Sequence, residues 1–254
     1  MHLPARLSPL FLISLAACSA GSSTTSSSGT PAPVEAGIGG DAGVDASESD
    51  IDGGDGGALP TTNVNPYGVA YPTNDIGTTA RRGNTAGQRI KNFAFPGYRD
   101  GSVRGSIVNV SMVDYFDPQQ KLSPPVKLIH LTAAGRWDTY SNTEANQAMP
   151  LIDSLRADGV VWITVIVEGT TPGKASTMAD LDPFALAHPL KAPIVVDPGA
   201  ASLGVFFSQA ALPWNGWIDA RSMEIIYSAE GFSGDVSREA AAQLTAWETR
   251  PVKP

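Results

Sequence analysis

The chain has 254 residues, a formal net charge of −8 and a single cysteine, Cys18. One cysteine excludes an intrachain disulfide, a Cys-x-x-Cys redox pair and a zinc site built from several cysteines. Seven acidic and no basic residues lie between Ser19 and Pro60, so the rest of the chain is nearly neutral. It lacks the basic surface of a nucleic-acid-binding protein, and we expect no nucleic-acid partner.

Residues 1–17 have the pattern of a signal peptide. An apolar run, residues 7–17, follows a short, weakly basic start. The run is too short to cross a bilayer as a helix but has the length of a signal-peptide core. It ends in Leu-Ala-Ala-Cys18, which resembles a bacterial lipobox. The alternative is an ordinary signal peptide with an incidental cysteine.

The lipobox resemblance implies cleavage before Cys18, diacylglycerol on its sulfur and a further acyl chain, such as palmitate, on its amine. Two or three acyl chains anchor a protein stably to a membrane. The resemblance therefore implies a lipid-anchored lipoprotein of the bacterial cell envelope, and Ser19 favours the outer membrane, on its periplasmic or surface face. Acylation would also use up the only thiol, and the thiolate is the reactive form of cysteine.

The segment after the signal peptide, residues 18–60, is predicted to be a disordered linker. It consists largely of Gly, Ser, Thr, Ala, Pro and Asp and has no aromatic residue. Such a composition cannot bury enough apolar surface to offset the entropy of ordering. An alternative is calcium binding by residues 50–55, but this stretch lacks the bidentate Glu of an EF-hand loop. We therefore expect no metal.

The remainder, residues 61–254, is predicted to form one domain with its core at about residues 88–247. Ser111 and Asp114 have the spacing of a helix N-cap and its N3 partner. The predicted elements before the central strand are a short strand, its partner and this capped helix: residues 93–95, 102–110 and 111–116.

A strand–helix–strand unit is predicted next, at residues 127–132, 142–156 and 160–167. The second strand is apolar throughout, which is typical of a strand covered on both faces. The two strands should be parallel, because the helix between them forms a crossover. Pro150 should kink that helix by removing a hydrogen bond.

The elements predicted after this unit are a helix, a short strand, a second helix, an antiparallel hairpin and a closing helix: residues 176–187, 192–196, 200–207, 211–228 and 237–247. Met178 is predicted to face the core from the first of these helices.

The turn after the first core strand reads Trp137-Asp138-x-x-Ser141-x-x-Glu144. It resembles the thioredoxin-like family, whose redox members carry Trp-Cys-x-x-Cys, often followed three residues later by a Glu. Asp138 and Ser141 stand where the two cysteines would be. The resemblance implies an α/β fold: a three-layer sandwich around a mixed central sheet, with an N-terminal hairpin extension of the redoxin and peroxiredoxin kind.

A second motif, Leu212-Pro213 before a strand, resembles the segment that holds the family's cis-proline. The resemblance implies that Pro213 is cis, faces the turn and presents backbone to a bound polypeptide. A cis X-Pro bond has a small energetic cost. The alternative is a trans proline that opens an edge strand.

We predict no catalytic residue and no cofactor. Disulfide exchange needs a thiolate, and a serine hydroxyl such as that of Ser141 needs an adjacent base. Of the three histidines, His2 lies in the signal peptide and His188 in a loop. His130 lies in a predicted buried strand, and we interpret it as a hydrogen-bonded histidine of the sheet rather than a base.

If Pro213 opposes the turn, then Trp137, Tyr140 and Trp214 would line a shared aromatic groove for a peptide or protein partner. The alternative is that these side chains pack in the core. The sequence thus predicts a membrane-anchored binding or scaffolding module without redox cysteines. The alternative is a divergent redoxin-type oxidoreductase, thiol-disulfide or antioxidant, that acts with a partner's cysteines.

Overall fold

The computed structural model describes residues 62–76, 83–208 and 211–252. The signal peptide, the lipidation of Cys18 and the linker at residues 18–60 are predictions that lie outside the described residues. Within the described part of the chain, no helix is both long and apolar enough to cross a membrane.

One seven-stranded sheet organises the domain, in the order β2-β1-β5-β4-β3-β6-β7. In chain order the strands are β1 (Ala94–Tyr98), β2 (Val108–Ser111), β3 (Leu128–Gly135), β4 (Val160–Glu168), β5 (Ile194–Val196), β6 (Trp214–Asp219) and β7 (Glu224–Glu230). The α-helices are α1 (Thr139–Ala148), α2 (Ile152–Ala157), α3 (Leu181–Ala187) and α4 (Val236–Thr249). Short 3-10 helices cover Met112–Tyr115, Met149–Leu151, Met178–Asp180 and Pro198–Ala200.

The sheet is mixed. Strand β4 pairs in parallel with β3 and β5, whereas β6 is antiparallel to both β3 and β7. The hairpin of β1 and β2 joins the far edge by antiparallel pairing of β1 with β5. A parallel β3–helix–β4 unit beside an antiparallel β6–β7 hairpin with a closing helix is a thioredoxin-like fold. The predicted fold class and N-terminal hairpin extension are confirmed.

Two apolar clusters cover the two faces of the sheet. Helices α1 to α4 pack on one face, where Leu128 and Trp162 point. The other face, with Ile129 and Ile163, is covered by the N-terminal segment, the Met112–Tyr115 helix and the residues before β6. Strands β3 and β4 are buried on both faces, which explains why β4 is apolar along its whole length.

Several local predictions are confirmed. The backbone N–H of Ser111 donates to Asp114 Oδ2 at 3.0 Å at the start of the Met112–Tyr115 helix. The long helix is interrupted at Pro150, where a 3-10 turn separates α1 from α2. It ends before Gly159, which has a positive φ of 90° that favours glycine.

Two predictions near the second half of the sheet are wrong. The α-helix predicted at residues 200–207 is absent: a 3-10 turn ends at Ala200 and residues 201–207 form turns and bends, because the Asp197 carboxylate accepts backbone hydrogen bonds from Ser202 and Leu203. Such local side-chain bonds compete with helix formation. Met178 is 41% exposed rather than inward, since the α-helix begins only at Leu181.

Candidate functional site

The turn between β3 and α1 is organised by one carboxylate. Asp138 is the N-cap of α1, and its Oδ2 accepts from the Ser141 backbone N–H at 2.6 Å and from Ser141 Oγ at 2.7 Å. Ser141 Oγ accepts in turn from the Gly135 N–H at 3.2 Å. Both Asp138 and Ser141 are buried. The two residues at the expected cysteine positions thus form an interlocked helix cap.

The backbone of the turn is tied to the end of β4. The N–H of Arg136 donates to the Glu168 carbonyl at 3.0 Å, and that of Trp137 donates to the Gly169 carbonyl at 3.1 Å. The Arg136 guanidinium also pairs with Asp180. Burial raises the pKa of Asp180, but hydrogen bonds from Arg136 and from residue 177 outweigh it and hold the pKa below its ordinary value. These contacts tie the turn to the carboxyl end of β4 and to the Met178–Asp180 helix.

Two aromatic side chains stand at the surface of the turn. Trp137 is 38% exposed and Tyr140 is 63% exposed. The Trp137 indole Nε1 donates to Glu168 Oε2 at 2.5 Å, and the same oxygen accepts from the Gly173 N–H at 3.0 Å. The Trp137 ring is therefore held in one orientation while part of its surface remains open to solvent.

Trp214 does not share this surface, and the predicted groove is wrong on this point. Its side chain is fully buried, lies over Gly216 and has its ring centroid 4.8 Å from that of Phe206. Its Nε1 donates to Ser228 Oγ at 2.9 Å. Trp214 faces the core on the side of the sheet opposite the α-helices, because the residues before β6 fold over its ring.

The segment before β6 lies against the turn. The Leu212–Pro213 peptide bond is cis. A Cβ on Gly135 would lie 2.9 Å from Leu212 Cδ1 and 3.1 Å from Trp137 Nε1, so only glycine fits there without a shift. Among the described residues, the backbone N–H and C=O of Leu212 have no hydrogen-bond partner. Leu212 therefore lies next to Gly135 and Trp137, at the start of the turn.

A row of three buried, hydrogen-bonded polar side chains lies behind the turn. Asn215 Nδ2 donates to Glu144 Oε2 at 2.9 Å, and Asn215 Oδ1 lies 2.9 Å from His130 Nε2. All three residues are buried, which places Glu144 in the core rather than on the accessible part of the turn. Sequence reasoning did not assign Asn215 a role; an amide in a strand of bulky apolar residues is the signal that could have identified it.

Burial determines the charge states of Glu144 and His130. It raises the pKa of Glu144 to about 8 against the opposing hydrogen bond from Asn215, and the charges of Glu239 and Asp138 raise it further. Burial lowers the pKa of His130 to about 3. At neutral pH the carboxyl is protonated and the imidazole is uncharged. His130 also packs between Trp162 and Trp217, with ring centroids 3.8 and 4.5 Å away. His130 is therefore a buried histidine of the sheet that is hydrogen-bonded through Nε2, as predicted, whereas its Nδ1 has no hydrogen-bond partner among the described residues.

The site contains no group suited to thiol chemistry, because the only cysteine is Cys18. The Ser141 hydroxyl donates to a carboxylate rather than to an imidazole, and it is buried. Within residues 62–76, 83–208 and 211–252, no cluster of three His, Cys, Asp or Glu side chains has a geometry that would hold a metal ion.

Five cavities lie elsewhere on the described surface, with volumes between about 200 and 310 Å³. None of these five is lined by residues 136–144. The exposed side chains of Trp137 and Tyr140 thus lie outside these five cavities.

No protein-family model and no curated protein matches the sequence. Among solved structures, the chain is similar to the exposed lipoprotein thioredoxin Etrx1 from Streptococcus pneumoniae strain TIGR4 (19% identity, TM-score 0.45, 63% of this chain and 100% of that one). It is also similar to AhpC from Enterococcus faecalis (16%, 0.47, 68% and 100%). A third similar structure is a secreted thiol-disulfide isomerase from Corynebacterium glutamicum (13%, 0.44, 70% and 98%).

Strand order, strand directions and the turn after β3 together define the class of protein. It is a domain with a thioredoxin-like fold. The turn after β3 carries a hydrogen-bonded carboxylate and hydroxyl, those of Asp138 and Ser141.

Proposed function

We propose that the protein is a lipid-anchored, thioredoxin-like binding or scaffolding module of the bacterial cell envelope, without cysteine redox activity. The observation that carries this proposal is the interlocked pair of Asp138 and Ser141, whose side chains are 2.7 Å apart. The resemblance of the turn aligns these two residues with a Cys-x-x-Cys motif.

The pair explains why exchange chemistry is not the proposed activity. Thiol–disulfide exchange and peroxide reduction by redoxins both need a thiolate. The Asp138 carboxylate is engaged by two donors of Ser141, and the Ser141 hydroxyl is engaged by the carboxylate and by the Gly135 N–H. Both groups therefore stabilise the start of α1, and neither faces solvent.

The exposed side chains at the surface of the turn are suited to binding. Trp137 and Tyr140 supply exposed aromatic area, and Trp137 is already oriented by Glu168. Pre-ordered aromatic side chains are frequent anchors of protein interfaces. Beside them, the backbone N–H and C=O of Leu212 have no hydrogen-bond partner among the described residues; Leu212 is 6% exposed, so a segment that adds to it as a strand would have to displace the side chains that cover it. The proposed ligand is therefore an extended segment of another polypeptide.

The proposed cellular location of the protein depends on its N-terminal sequence. The lipobox ending in Cys18 supports acylation, and Ser19 supports sorting to the outer membrane, on its periplasmic or surface face. An acidic, Gly- and Ser-rich linker at residues 18–60 would act as a flexible tether between the membrane and the domain.

Site-specific crosslinking tests the binding surface. In the full chain in intact cells, Tyr140 is replaced by a photoreactive phenylalanine derivative; the matched control is the same replacement at Tyr67, which is 48% exposed. We expect adducts with a polypeptide from position 140, none from position 67, and loss of the adducts when Trp137→Ala is added. Equal adducts at both positions, or adducts that persist with Trp137→Ala, would contradict the proposed surface.

Activity assays test the absence of redox chemistry. The full chain should neither reduce insulin nor consume peroxide above the buffer rate, alone or with a thiol reductant. Turnover above buffer would favour the alternative, a redoxin-type oxidoreductase that works with a partner's cysteines.

A further inference from the structure

The domain has a second candidate site at the opposite end of the sheet. We infer that a cleft lined by Arg99, Tyr115 and Arg156 binds a long-chain monocarboxylate, with the carboxylate at the two guanidinium groups and the apolar chain along residues 122–126. This inference concerns a different surface from the turn and does not depend on the proposed polypeptide binding.

Two adjoining cavities form the cleft. One, of about 240 Å³, is lined by residues that include Asp114, Leu122 and Val126; the other, of about 200 Å³, by residues that include Arg99, Trp162 and Pro193. Tyr115, Arg156 and Val161 line both cavities. Each is smaller than the roughly 300 Å³ at which small-molecule pockets usually begin. A ligand held here would therefore extend through both, which favours an elongated molecule.

The cleft is well separated from the turn. Its residues lie where β3, β4 and β5 begin, whereas the turn follows the last residue of β3. Strand β3 has eight residues, which at about 3.3 Å per residue corresponds to a separation of roughly 20 Å or more. A ligand in the cleft does not compete with a polypeptide at the turn.

The charge of the cleft favours one negative charge. Arg99 forms an ion pair with Asp114 at 2.8 Å. Arg156 donates to the backbone carbonyl of Lys191, and no ion pair of Arg156 with a carboxylate is found among the described residues. The two guanidinium groups and one carboxylate leave a net charge of about +1. A planar guanidinium fork matches the geometry of a carboxylate.

Tyr115 adds a neutral donor at the same place. Burial raises its pKa to about 12, although the nearby charges of Arg99 and Arg156 act to lower it. The phenol therefore keeps its proton at neutral pH. A protonated phenol beside two guanidinium groups can donate to an anion without adding negative charge.

The larger of the two cavities, of about 240 Å³, is lined mainly by apolar side chains. Leu122, Pro124, Pro125, Val126 and Val161 line it, and Pro124 and Pro125 are exposed. An alkyl chain that covers these side chains removes apolar surface from water, and the gain in binding grows with each methylene that is buried. Binding should therefore need both the carboxylate and the chain, and neither alone should suffice.

Calorimetric titration of the full chain carrying Cys18→Ala tests the inference, because no acyl group of its own can then occupy the cleft. The probes are dodecanoate below its micellar concentration, acetate, and dodecyltrimethylammonium. We expect saturable binding of one dodecanoate per chain. Acetate should bind at least 100-fold more weakly, and dodecyltrimethylammonium at least tenfold more weakly than dodecanoate. Equal affinity for the two amphiphiles would overturn the inference, as would the absence of saturable dodecanoate binding.

Variants locate the site. Arg156→Gln should weaken dodecanoate binding at least tenfold, whereas Arg238→Gln, at an exposed arginine of α4 that does not line the cleft, should not change it. In the unsubstituted cleft, a dodecanoate analogue with a diazirine in its chain should label the peptide that contains residues 122–126. Unchanged affinity of Arg156→Gln, or labelling confined to other peptides, would refute the assignment.

Discussion

Glu144→Gln offers the sharpest test of the buried side chains behind the turn, Glu144, Asn215 and His130. The pKa of Glu144 is raised from 4.5 to about 8 by burial, so the folded protein holds a protonated carboxyl at neutral pH. In the unfolded chain the same carboxyl ionises above about pH 4.5. The unfolded state is therefore favoured progressively as the pH rises from 4.5 to 8. Glutamine removes this ionisation and keeps an oxygen that can accept from Asn215.

The size of the effect follows from the two pKa values. Each pH unit between them contributes about 1.4 kcal/mol. Relative to the wild type, Glu144→Gln should gain little stability near pH 4.5, about 3 kcal/mol at pH 7 and up to about 5 kcal/mol above pH 8, as an order of magnitude. The sign is that of an acid whose folded pKa is raised: wild-type stability is highest below the unfolded pKa and is lost as the pH rises.

Urea unfolding of the full chain between pH 4.5 and 8.5 measures this difference. The comparison cancels groups that titrate alike in both proteins, including those in the acidic N-terminal segment. The control is Asp153→Asn, at a carboxylate whose side chain is 69% exposed. It should change stability by less than about 1 kcal/mol at every pH, as exposed ion pairs usually do. A stability difference between Glu144→Gln and the wild type that does not vary with pH would refute the reasoning.

Three further outcomes are expected. Asp138→Ala should lower the free energy of unfolding by about 2–3 kcal/mol in urea titrations, because the cap is lost and the buried Ser141 hydroxyl loses its acceptor; an unchanged midpoint would contradict the cap. The double variant Asp138→Cys/Ser141→Cys should form an internal disulfide on oxidation, seen by thiol counting and mass, because the two side chains converge; persistent free thiols would show that they do not. Cys18→Ala should release the protein from the membrane fraction and abolish palmitate labelling, and unchanged fractionation would argue against lipidation.

Local sequence patterns predicted much of the fold. The break at Pro150 and the cap at Ser111 and Asp114 depend on residues within a few positions of each other, so the sequence shows them directly. The apolar run of β4 reports burial on both faces of the sheet. Where a carboxylate competed for the backbone, as Asp197 does after β5, local pattern was misleading and the predicted helix is absent from residues 200–207.

The candidate site was only partly predictable. The sequence places Asp138 and Ser141 three residues apart, and one helical turn brings them together. By contrast, the bond between Glu144 and Asn215 joins residues 71 positions apart, and the burial of Trp214 depends on Phe206 in a loop. No local pattern encodes such neighbours.

By itself, the sequence determined that the turn has no thiol, since the only cysteine is Cys18 and none lies in residues 136–144. Only the tertiary structure decided that Trp137 is partly exposed while Trp214 is buried, and that Arg99 and Arg156 face one cleft. The physical reason is that composition limits the available functional groups, whereas long-range packing sets which groups meet, which face solvent and which lose their charge.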